Sequence, residues 1–68
     1  MSDREEKFEK MLQYVQKNYS DTVDRMEKLK AEGKTKSATY RQLMASKLTY
    51  QNILSIYSMF GLADEQNL

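Results

Sequence analysis

Asp21 and Asp24 stand three residues apart, a spacing that turns two carboxylates to the same side of a helix. Such a pair can divide acid and base roles when one member is held protonated. Here each has a cation four residues further on, Arg25 and Lys28. That pattern fits solvated ion pairs along a helix better than catalysis. Gly33-Lys34-Thr35 ends like a phosphate-binding loop. The first glycine of that motif would fall at Lys28, and no strand leads into it, so the backbone cradle for phosphate is missing. There is no cysteine and no histidine. This removes the Cys–His and Ser–His nucleophilic pairs and the usual zinc, haem and iron–sulfur ligand sets. No catalytic, metal-binding or cofactor-binding residue is assigned, and no small-molecule substrate is expected. The expected role is therefore non-enzymatic.

Electrostatics supply a second kind of candidate. The formal charge is only +1, from 11 basic and 10 acidic residues, but it is unevenly spread. Residues 25–47 carry seven bases against Glu27 and Glu32, whereas residues 1–24 carry six acids against four bases. Residues 48–68 add only Asp64 and Glu65. Within the basic segment Lys34, Lys36, Arg41 and Lys47 are candidate contacts for an anion or nucleic acid, with Thr35, Ser37 and Thr39 as nearby hydroxyls. Against this, the cluster is small and no arginine series suits base-edge readout. Bases near the end of a helix also complement its dipole.

Two helices must position these residues. Ser2 followed by Glu5 has the form of a capping box. From there Phe8, Leu12, Val15, Tyr19, Thr22, Met26 and Leu29 recur at alternating spacings of four and three, one narrow stripe widened by Met11 and Val23. The spacing predicts a helix over 3–32. Asp3–Lys7, Glu6–Lys10, Asp21–Arg25 and Asp24–Lys28 are i,i+4 pairs on its charged side, each worth only about 0.2–0.5 kcal/mol. Residues 18–23 are poor helix formers, and Ser20 could cap a fresh start. The apolar phase nevertheless runs through without a slip, which favours one continuous helix over two short ones.

Gly33 suits a left-handed helix stop, and a turn at 33–36 is short enough to force antiparallel neighbours. A second helix is predicted over 37–60, capped by Ser37 or Thr35, with Thr39 and Gln42 as a possible box one turn further in. It ends at Gly61, where Leu62 can fold back on Tyr57. The fold class expected is all-α: an antiparallel helical hairpin forming one domain over 1–62, with a frayed tail at 63–68.

The second helix is apolar nearly all round. Leu43, Tyr50, Leu54 and Tyr57, edged by Tyr40 and Ile53, match the stripe of the first helix. Leu48, Ile56, Met59 and Phe60 are left over. One neighbouring helix cannot cover them, and 68 residues give a core of only about 3–5 kcal/mol. These four are assigned to an oligomer interface, most simply in a homodimeric four-helix bundle. A groove receiving another protein's helix and a stable monomer are the alternatives. Four of the five tyrosines fall on apolar faces, while Tyr14 lies outside its stripe and is a mild candidate contact.

Residues 1–6 are charged, and the most apolar run, residues 53–62, is far short of the ~20 residues that span a bilayer. No membrane association is expected, and a cytoplasmic location is the default. The expected function is protein–protein interaction or a structural or regulatory role as a helical homo-oligomer. The alternative is a small nucleic-acid-associated regulator using the basic tip.

Overall fold

Ser2 starts the first helix from extended backbone, its Oγ accepting the Glu5 N–H at 3.2 Å. Asp3, Glu5 and Glu6 occupy the first turn and Lys28 and Lys30 the last, each sign at the dipole end it stabilises. In a computed structural model, described here for residues 2–62, the chain forms α1 (Asp3–Ala31) and α2 (Ala38–Met59). The frayed tail expected at 63–68 lies outside those residues. Ser37 caps α2, accepting the Tyr40 N–H at 3.1 Å while its hydroxyl donates to the Lys34 carbonyl at 2.8 Å. Thr35 is not the cap, and Thr39 lies within the helix.

Both helices stop in the same way. Gly33 (φ 74°) donates to the Lys30 carbonyl and Lys34 to that of Leu29. Gly61 (φ 71°) donates to Ser58 and Leu62 to Tyr57. Each is a Schellman closure that satisfies carbonyls which would otherwise lack partners. Each also needs the left-handed backbone that glycine adopts without steric cost. The helices therefore end one residue short of the expected 32 and 60, with Glu32 and Phe60 as C-caps.

α1 is continuous through residues 18–23. Asn18 Nδ2 donates to the Tyr14 carbonyl and Thr22 Oγ1 to that of Asn18, both at 2.7 Å. These polar side chains bond back into their own helix, leaving Val15, Thr22 and Met26 in phase against α2. Of the four expected ion pairs, Asp3–Lys7 closes, at 3.1 Å. The Glu6–Lys10, Asp21–Arg25 and Asp24–Lys28 pairs do not; among the described residues the other ion pair is Lys34–Glu32 at 3.3 Å. Salt bridges at this exposure contribute little to the hairpin.

The helices pack antiparallel, and the chain measures 46 × 20 × 16 Å along its principal axes. Leu12, Val15, Leu54 and Tyr57 form the core cluster, with Tyr19, Tyr50 and Ile53 against it. Met26, Thr22 and Leu43 are buried nearer the turn. Phe8 meets Tyr57 edge to face, ring centroids 5.3 Å apart at 75°. Tyr57 Oη is buried and has no hydrogen-bond partner among the described residues. A buried hydroxyl left unpaired costs about 1–3 kcal/mol. Tyr57→Phe keeps the ring contact and should raise the urea midpoint of unfolding, by the equivalent of about 1 kcal/mol. A lower midpoint would show that the hydroxyl has a partner.

Candidate interaction surface

Leu54 marks the centre of the face that α2 turns to α1. On a helix of 3.6 residues per turn, Ala45, Leu48, Asn52, Ile56 and Met59 lie about 120–200° away from it. All five are exposed. They rise along the helix at spacings of three and four, the repeat of a coiled-coil seam. Phe60, the C-cap, borders this face and is exposed as well. The four residues assigned to an interface thus belong to the outer side and open end of one helix. The same part of the chain, residues 48–62, contains no charged side chain.

The open end adds residues that sequence reasoning placed in the core stripe. Phe8 and Met11 of α1 line a groove of about 270 Å³ together with Ile53, Ile56, Tyr57, Phe60 and Leu62. Met11 is half-exposed, because it sits one position off the stripe formed by Phe8, Leu12 and Val15. That offset is the signal in the sequence which separates it from the core. Beside the groove, Ser2, Arg4, Glu5, Glu9 and Leu12 face Gly61 and Leu62 across a more polar cleft of about 570 Å³. Tyr14 is well exposed on α1.

Asp21 and Asp24 border a shallow cleft with Arg25, Ser46 and Tyr50. Both carboxylates are solvent-exposed. Among the described residues no group of Asp and Glu side chains is arranged to hold a metal ion. No described helix is long and apolar enough to cross a membrane.

The basic candidates divide. Lys34, Lys36 and Arg41 gather at the hairpin tip, all exposed, with Lys34 engaged by Glu32. Lys47 lies about 9 Å further along α2 and is half-buried. The first turn of α2 carries no acidic residue, so its helix dipole is open to anions. No protein-family model, no curated protein and no solved structure gives a significant match to this chain.

Proposed function

We propose that this chain is a non-enzymatic interaction protein acting as a homodimer, two hairpins pairing through α2 into a four-helix bundle. One observation carries the proposal. Leu48, Ile56, Met59 and Phe60 are 59%, 49%, 77% and 73% exposed on the outer side and end of one uncharged helical segment. Large apolar groups gathered on one side of a short chain mark a contact surface. The elongated hairpin exposes 5470 Å², enough to give up an interface along one side. A stable interface takes about 800 Å² from each partner. The charged sides of α1 then form the outer surface of the bundle, where further partners bind. Sedimentation equilibrium at micromolar concentration tests the assembly: a dimer mass is expected, and a folded monomer throughout that range would overturn the proposal.

The basic tip supports a second proposal, binding to nucleic acid, because Lys34, Lys36 and Arg41 sit together beside a helix start free of acids. Binding of this kind weakens steeply with salt. Replacing Lys34, Lys36 and Arg41 together by Ala should remove most affinity for duplex DNA or RNA in a fluorescence anisotropy titration. Unchanged affinity would exclude the tip.

A further inference from the structure

We infer that the two copies of α2 pair antiparallel, about a two-fold axis passing beside Asn52. The orientation presupposes the dimer proposed above and adds to it a register.

The exposed seam is symmetric about Asn52. Leu48 and Ile56 stand four residues either side of it, and Ala45 and Met59 seven. An antiparallel two-fold at Asn52 therefore sets Leu48 of one copy opposite the partner's Ile56. It sets Ala45 opposite the partner's Met59. The second match is one of volume, since the small side chain leaves the space that the long, adaptable thioether fills. Parallel pairing instead sets Ala45 against Ala45 and Met59 against Met59, leaving a gap at one level and crowding at the other.

Charge selects the same orientation. Residues 25–47 hold seven bases and two acids, and the turn gathers them at one end of the hairpin. Parallel pairing places two such tips side by side. Antiparallel pairing sends them to opposite ends of the bundle. Each then lies towards the other copy's open end, where residues 48–62 are uncharged and residues 3–10 of α1 carry four acids against three bases. Like charges held together cost free energy and opposite ones steer association.

Between Ala45 and Met59, Asn52 is the polar member of an otherwise apolar or small seam, and it is exposed in the single hairpin. A carboxamide carries both donors and an acceptor. Two of them facing across a two-fold axis can each donate to the other's oxygen, so the axis falls where self-pairing satisfies the buried amides. A slipped register would bury each amide against an apolar side chain. One Asn in a helical seam is a known device for fixing register.

The chain lacks cysteine, so introduced thiols report the geometry without interference. Asn52→Cys, Ala45→Cys and Met59→Cys are each made in the full chain, checked for helicity by circular dichroism, and oxidised. Non-reducing electrophoresis then reads the covalent dimer. Asn52→Cys should cross-link with itself. Ala45→Cys and Met59→Cys should each stay monomeric on the gel when alone and cross-link when mixed. Self-cross-linking of Ala45→Cys and Met59→Cys would overturn the antiparallel orientation while leaving the dimer standing. If none of the three cross-links, the outer face of α2 is not the interface, and the dimer fails with it.

Discussion

Leu54→Ala should leave the chain without a cooperative folded state at room temperature and low concentration. Leu54 is fully buried, with 0% of its surface exposed, between Leu12, Val15 and Tyr57. Removing a buried leucine side chain costs about 2–5 kcal/mol, the transfer free energy plus the cavity left behind. A core of this size supplies only about 3–5 kcal/mol in total. One substitution is thus comparable to the whole stability of the hairpin. Thermal melts followed by far-UV circular dichroism should show a broad, non-cooperative loss of helix. Leu48→Ala is the control. The same chemical change on the outer side of α2 removes little surface that the hairpin itself buries, so a dilute monomer should melt much as the parent does. A sharp transition in Leu54→Ala would place the main cohesion of the chain outside the α1–α2 contact.

Ile56→Asp should do the reverse, leaving a folded hairpin and abolishing its assembly. Ile56 is about half-exposed in one chain, so a carboxylate there remains hydrated and the monomer keeps its core. In the dimer the same group faces the partner's apolar Leu48 and loses its hydration there. Losing burial of the exposed half of the isoleucine adds about 1 kcal/mol. A two-fold interface counts every substitution twice. The dissociation constant should rise by at least about a thousandfold, equivalent to about 4 kcal/mol, as read by sedimentation equilibrium. Phe60→Asp should act in the same direction, whereas Glu9→Ala on α1 should change neither mass nor melting by more than about 0.5 kcal/mol. An Ile56→Asp chain that remains dimeric would move the interface elsewhere.

The hairpin was legible because its punctuation is sparse and each mark has a single physical meaning. Gly33 and Gly61 are the only glycines, and both take the left-handed backbone that ends a helix. Ser2 and Ser37 cap the starts. The inward face of α2 could be read from periodicity alone, because Leu43, Leu54 and Tyr57 share one side of a regular helix. Periodicity says less at the edges of a stripe. Phe8 looks like a core residue on a helical wheel, yet the open end of the hairpin leaves it partly uncovered. How much a flanking residue is covered depends on where its neighbour ends and how the two helices lean together, which no single-helix pattern encodes. Spacing overstates the ion pairs for a related reason. Spacing permits Asp21 to reach Arg25, but hydration of both groups competes with a contact worth tenths of a kcal/mol.

The core cluster at Leu12, Val15, Leu54 and Tyr57 lies towards the end of the hairpin remote from the turn. Its position has a kinetic consequence. Bringing Leu12 to Leu54 closes a chain loop about two and a half times longer than bringing Met26 to Leu43, which costs about 0.8 kcal/mol more in lost chain entropy. The first contacts between the helices are therefore expected beside the turn, where closure is easiest. Docking then travels outward to the cluster, whose burial exceeds the extra closure term several times over. The covalent link gathers one end of the molecule and the aromatic-rich cluster secures the other. The hairpin thus closes like a clasp, with the catch set well away from the hinge.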